Sequence, residues 1–380
     1  MFRSLSPSCW IAIAACIGCS TDAEPVQAWQ LRALTFNAAL APGFEPQSVE
    51  RLPAVVSALR AAAEDLDVLC VQEFWVDADF TQLLTATAQS LPATVHPAPL
   101  PGSGRCTAPE LGSIGGCVEA HCASAGPDER VSCIQSACPS ELGALSGGCL
   151  GCLINQLDDF AECAPETEQV VSDPAIFGGD YDTGLLSRYP IAEQGVLPLA
   201  AYFQRGAVLY ARLEVPHLGP VHAFCTHFSS PLGVIPYAGP FGSWEGEHRR
   251  ETEQLLDFVQ AKAGNSEPVL VMGDLNAGLS LNGGQAVLAE DFALLLAAGL
   301  SDPYLDGGQP QCSECNDNSL RAVDSTNHLI DHLLIRGFPK SRARVTREFT
   351  TAVDLSSSDD DAARSHLSDH YGLGLDLESR

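Results

Sequence analysis

Near the end of the chain the stretch HLSDHYGLGL, residues 366 to 375, sets Asp369 beside His370 just before an apolar run. An adjacent acid and imidazole suit proton transfer, because imidazole titrates near neutral pH and a carboxylate can orient a ring or hold a cation. Alone, the pair reads first as a polar turn that happens to hold a histidine. Five other strand-like runs carry polar groups in the same way: Asn37 after LTF, Glu73 after VLCVQ, His227 after AFCT, Asp274 and Asn276 after VLVMG, and Asp331 within LIDHLLI. Each also has an ordinary structural reading. Asn and Asp after a strand often turn back onto their own backbone. A terminal Glu is usually solvated, and a Thr-His pair is usually a satisfied structural histidine. Asp331 is the hardest to set aside, since a carboxylate buried among apolar residues without a partner is costly. Taken together, carboxylates, amides and imidazoles on converging strand ends are the groups a metal-assisted hydrolase requires.

These residues need elements to position them. LRALTFNAAL reads as a strand ending near Asn37, and DVLCVQEFW as a buried strand delivering Glu73. Between them SVERLPAVVSALRAAAEDL has helical periodicity, with Ser48 expected as its N-cap. ADFTQLLTATAQSL, EGEHRRETEQLLDFVQAKA and LAEDFALLLAAG read as helices, the last stopped by Gly299. GAVLYARLEV, PVHAFCTHF, PVLVMGDLNAG, HLIDHLLIRG and DHYGLGLDL read as strands, and strand character also resumes at DTGLLSRYPI. From residue 97 to 174 strand signals vanish and Gly, Pro, Ser and Cys dominate. This segment reads as an inserted subdomain.

The chain has 380 residues, 46% of them hydrophobic, enough for one large core or two smaller ones. Its net charge of -28 disfavours nucleic acid and anionic membranes at long range and attracts divalent cations. Residues 1–18 read as an export signal too short to span a bilayer, and residues 19–30 as a tether. Cleavage before Cys16 or Cys19 would make a lipid-anchored protein, and cleavage elsewhere an ordinary secreted one. Export explains 15 cysteines as disulfides. Eight of them lie between Cys106 and Cys163, spaced to allow a helical hairpin closed by Cys117–Cys138 and Cys122–Cys133. Zinc is the rival reading there, from CLGC at 149 to 152. Cys312 and Cys315 suit a local disulfide or a link to elsewhere, and Cys70 and Cys225, in core strands, read as buried free thiols.

In order, LTFNAAL, VLCVQEFW, GLLSRYPI, CTHF, GDLNA, IDHLLI and SDHYGL resemble the motifs of the endonuclease/exonuclease/phosphatase superfamily, which includes pancreatic deoxyribonuclease, inositol-phosphate phosphatases and neutral sphingomyelinases. The resemblance spans residues 31–376 but skips the cysteine-rich insertion. It implies an α+β fold, a four-layer α/β/β/α sandwich with its active site at one end. It implies a Mg²⁺ or Mn²⁺ site built from Glu73, Asn37 and Asp369. His370 becomes the general base with Asp331 orienting its ring, and His227 and Asn276 hold phosphoryl oxygens. Asp274 orients the attacking water, joins a second metal site, or is itself the base. The expected substrate is a phosphodiester. A phospholipid headgroup is favoured over nucleic acid, since the chain is acidic and exported, and a secreted nuclease is the alternative. A phosphomonoesterase and a non-catalytic surface module fit less well, and the oligomeric state is left open. One loop, FSSPLGVIPYAGPFGSWEGEH, carries Ile235, Tyr237, Phe241 and Trp244 beside the site; it either meets a lipid surface or folds back onto the core.

Overall fold

The computed structural model describes residues 27–379 except 43, 99–104, 126, 157–158, 166–175, 177–180, 200, 203, 234, 265–266, 340 and 356–363. The expected export signal and residues 19–26 of the tether lie outside them. Strands β1 (Gln30–Leu40), β2 (Val68–Phe74), β3 (Ala93–Val95) and β4 (Gly184–Ser187) begin one sheet. Strands β5 (Ile191–Pro198), β6 (Ala207–Val215), β7 (Gly219–His227), β8 (Val269–Asp274) and β9 (Asp331–Arg336) make a second. The chain then returns through β10 (Ser341–Glu348), a short ribbon of β11 (Val353–Asp354) and β12 (Arg364–Ser365), and β13 (Gly372–Ser379). The sheet orders are β10-β13-β1-β2-β4-β3 and β5-β6-β7-β8-β9.

The two sheets face each other across a core that includes Leu31, Ala33, Cys70, Leu209, Ala223, Met272, Leu333 and Leu375. Outside the first sheet lie α1 (Ser48–Ala63) and α2 (Asp77–Thr87), whose Val55, Leu59, Phe80 and Leu83 pack on alternate strand residues such as Leu34, Phe36, Leu69 and Val71. Gln47, at φ 54°, caps α1, so the expected cap Ser48 sits in its first turn. The cysteine-rich insertion contributes α3 (Ala108–His121), α4 (Pro127–Ala137), α5 (Pro139–Leu142) and α6 (Gly147–Asn155). Outside the second sheet lie α7 (Trp244–Ala263) and α8 (Ala289–Ala297), burying Leu255, Val259, Phe292 and Leu295. α9 (Pro303–Asp306) follows, and Gly299 ends α8 at φ 86°. This is the four-layer sandwich that the sequence implies.

Among the described residues every cysteine is paired. The insertion holds Cys106–Cys149, Cys117–Cys138, Cys122–Cys133 and Cys152–Cys163, so the helical hairpin forms as the spacing suggested and no thiolates remain for zinc. Cys312 and Cys315 close a local ring. Cys70 and Cys225 are not free thiols. They form a disulfide from β2 to β7 across the sandwich, with Cα atoms 5.5 Å apart. Burial in a β-rich run fits a thiol and a half-cystine equally; only the facing of two sheets brings these two together.

Candidate active site

Strand direction explains why the polar groups converge. β1 and β2 are parallel, as are β7 and β8, so Asn37 and Glu73 leave one sheet at the same end where His227 and Asp274 leave the other. Antiparallel strands begin where their neighbours finish. β9 starts at Asp331 opposite Asp274, β4 starts just after Asp182 beside the end of β2, and β13 starts just after His370 beside the end of β1. Asp331 is therefore the first residue of its strand and not an interior one.

Backbone turns then aim the side chains inward. Glu73 has φ 59° and Asn276 φ 46°, left-handed conformations that cost non-glycine residues energy and concentrate at functional sites. Gly273, at φ 151°, lets β8 press on β7, where a Cβ would fall 1.9 Å from the Thr226 carbonyl oxygen. Two buried imidazoles brace the following turn. His248 places Nε2 2.8 Å from the Leu275 carbonyl oxygen and Nδ1 2.8 Å from Asp291 Oδ2. His332 places Nε2 2.9 Å from the Ala277 carbonyl oxygen and Nδ1 2.7 Å from Asp302 Oδ2. Buried Arg51 donates to the carbonyls of Ala38, Ala39, Pro46 and Leu367, tying the loop after β1 to the segment before Asp369.

At the centre, Asn37 Nδ2 donates to Glu73 Oε1 at 2.9 Å and to Asp274 Oδ2 at 3.0 Å, while its Oδ1 accepts the Ala39 N–H. His370 Nδ1 meets Asp331 Oδ2 at 2.7 Å, and its Nε2 lies 3.9 Å from both Asp274 Oδ2 and Asp369 Oδ1. His227 Nδ1 meets Asp182 Oδ2 at 2.5 Å, and its Nε2 lies 3.6 Å from Asp274 Oδ2. Asn276 Nδ2 donates to the Phe228 carbonyl at 2.8 Å and lies 3.3 Å from His227 Nε2. Asp274 thus sits between two imidazoles, each oriented by its own buried aspartate. All eight residues singled out in the sequence come together here.

Sequence reasoning missed several neighbours. Asp182 precedes GLLSRYPI, and nothing local distinguishes it from an ordinary acid before a strand. Glu45, in the loop after β1, and Glu314, between the paired Cys312 and Cys315, also line the cleft. Glu314 is held by Arg321 and by His328 Nδ1 at 2.6 Å. Arg249 and Arg250, in the first turns of α7, pair with Asp291 and Glu253.

The electrostatics follow from packing acids and imidazoles together away from water. Burial, with Asp369 nearby, raises Glu73 above the usual carboxylate range. Burial and the charges of Asp369 and Glu73 raise Glu45 to about 7. Burial and Asp331 raise Asp274 to about 6. Burial works against charge on His227, yet Asp182, Asp274 and Glu73 lift it to about 10. His370 likewise rises well above its ordinary value against the effect of burial, through Asp331, Asp369 and Asp274. Glu45 and Glu73 thus feel each other and Asp369, and carboxylate oxygens of this kind are the donors a hard divalent cation takes. Asp274, Asp331 and His370 also lie within reach of a single ion, as do Glu314, Asp369 and His370.

Two sheets back to back, helices outside, and an acid-imidazole centre at one end define a sandwich phosphoesterase. The chain belongs to the Endonuclease/Exonuclease/phosphatase family, whose model matches residues 34–370. A search among curated proteins finds no match. Solved structures share the fold at low identity. Sphingomyelinase C from Streptomyces griseocarneus aligns at TM-score 0.52 and 18% identity, covering 92% of this chain and 99% of that one. Beta toxin from Staphylococcus aureus, a mutant with bound magnesium ions, aligns at 0.54 and 14%, covering 92% and 100%. Danio rerio TDP2, complexed with a single strand DNA product, aligns at 0.50 and 14%, covering 92% and 98%. These likenesses establish the fold and leave the substrate to be argued from the site.

Proposed function

We propose that the protein is an exported, divalent-metal-dependent phosphodiesterase that cleaves phospholipid headgroup diesters. Glu73, Asp369 and Asn37, with Glu45 beside them, would hold Mg²⁺ or Mn²⁺. Bound there, the ion supplies Lewis-acid charge for the phosphoryl oxygens and offsets the mutual repulsion of the carboxylates. His227 and Asn276 bind the non-bridging oxygens, with Asp182 keeping the His227 ring charged and fixed. Asp274 orients the attacking water, and His370, with Asp331 holding Nδ1–H, accepts its proton at Nε2 in the neutral form, which cation charge in the site would favour against the surrounding acids that raise its pKa.

The observation that carries the lipid assignment is the two-sided cleft. Its floor is acidic and imidazole-bearing, whereas its walls include Phe44, Trp75, Ile154, Ile176, Leu232 and Ile235. Among its described lining residues Arg321 is the one Lys or Arg, which offers little to a run of nucleic-acid phosphates. The aromatic loop after His227 does not present a free membrane hairpin. Tyr237 Oη donates to Glu247, Trp244 Nε1 donates to the Ile235 carbonyl, and the rings of Tyr202, Tyr237 and Trp244 pack against one another tilted or edge-on. Lipid selection therefore rests on the cleft walls. Disulfides in the insertion, between the sheets and in the loop at Cys312 support export, and among the described residues no helix is long and apolar enough to cross a membrane.

The test is a parallel assay of sphingomyelin, phosphatidylcholine and plasmid DNA with Mg²⁺. Headgroup release that stops on chelation is expected. DNA nicking without lipid cleavage would move the assignment to a secreted nuclease.

A further inference from the structure

The insertion contains a second cavity that the reaction above does not use. Ile114, Ile134, Leu150, Leu153 and Phe160 line a crevice of about 60 Å³. Among its lining side chains Gln135 alone is polar. Protein interiors normally fill such apolar space, and an open apolar crevice is a ligand site by default. Two of its walls, Ile154 and Ile235, are also walls of the catalytic cleft, so one apolar surface runs between the two. Four disulfides tie the surrounding helices together, so the cavity is pre-formed and does not need the ligand to build it.

We propose that this crevice binds an alkyl chain of the lipid whose phosphodiester occupies the catalytic cleft. The proposal rests on the phosphodiesterase reading above and names the part of the substrate that the insertion recognises. A narrow, unbranched, fully apolar occupant suits the space. A protein segment would bring backbone N–H and C=O groups that these walls cannot satisfy. Continuity through Ile154 and Ile235 requires the occupant to be joined to the molecule being cleaved.

The experiment uses p-nitrophenyl alkyl phosphates from methyl to octyl, kept monomeric in solution with Mg²⁺. In the parent protein each methylene that reaches the crevice should lower KM about fourfold, with kcat nearly constant, as expected for uniform binding. Ile134→Trp and Gln135→Trp fill the crevice and should flatten this series while the methyl ester is turned over as before. Gln135 is half-buried, so its variant serves if Ile134→Trp fails to fold by circular dichroism. A parent series with no chain-length dependence, or an equal slope in a folded variant, overturns the proposal. If the methyl ester is not hydrolysed at all, the phosphodiesterase reading fails first, and the two failures are told apart in one data set.

Discussion

Glu73 shows how a single residue is set for chemistry. It ends a strand in a left-handed conformation, is drawn to Asn37, and is buried close to Asp369, so that it resists ionising, as Glu45 beside it does. Glu73→Gln removes the charge at nearly constant shape. We expect kcat to fall by about 10²–10⁴ with an unchanged far-ultraviolet spectrum, and His370→Ala to do the same. Full activity in either folded variant would remove that residue from the reaction. Asp182 makes a sharper prediction. It keeps His227 charged up to about pH 10, so the parent should show no alkaline loss from this group near neutrality. In Asp182→Asn the His227 pKa falls and the alkaline limb of kcat/KM should move to lower pH. An unshifted limb would mean that Asp182 only packs. Asp182 escaped notice in the sequence because its partner lies 45 positions away and nothing local marks the pair.

At the scale of elements, the turn that carries Asp274 and Asn276 depends on support from outside its own strand. His248, from α7, and His332, from β9, each brace one of its carbonyls and are each oriented by an aspartate. Burial opposes charge on His248, but Asp291 and Glu251 raise its pKa above the ordinary value. A folded pKa above the unfolded one gives stability that is complete below about pH 6.5 and fades as pH rises through the raised value. Thermal melts should therefore show a Tm loss between pH 6 and the alkaline range that His248→Gln diminishes. Identical pH slopes would show that His248 stays neutral. Helices α1, α2, α7 and α8 were all legible from their periodicity. β10 was not, since SRARVTRE is an edge strand whose charges mask its alternation. The brace of His248 and His332 was equally hidden, because a histidine on a helix or strand face reads as ordinary core.

For the whole molecule, the Cys70–Cys225 bridge joins two sheets that otherwise meet through apolar packing and a few polar contacts such as Asn37 to Asp274, and it closes a span of 155 residues. Replacing both cysteines by Ala should cost about 2–5 kcal/mol of stability, read as a lower denaturation midpoint. A midpoint unchanged from the parent would mean that packing alone fixes the sandwich. The net charge of -28 acts at the same scale. It leaves the molecule soluble and cation-attracting, and gives the cleft little that would grip a polyanion. The insertion works at this scale too, since it supplies an apolar wall to a cleft built by strands far from it in sequence.

Local chemistry was legible from the sequence. Strand ends, helix periods and the cysteine spacing of the insertion hairpin depend on neighbours within a few residues, and so they marked the elements and the eight polar residues, while the four-layer fold was implied by the family resemblance of the motifs. Which side chains face each other was decided only by the tertiary structure. Asp182 against His227, Cys70 against Cys225, the braces of the Asp274 turn and the apolar crevice beside the site all join positions separated by tens to hundreds of residues. Such pairings follow from strand direction and from the packing of two sheets. No short stretch of sequence encodes these on its own.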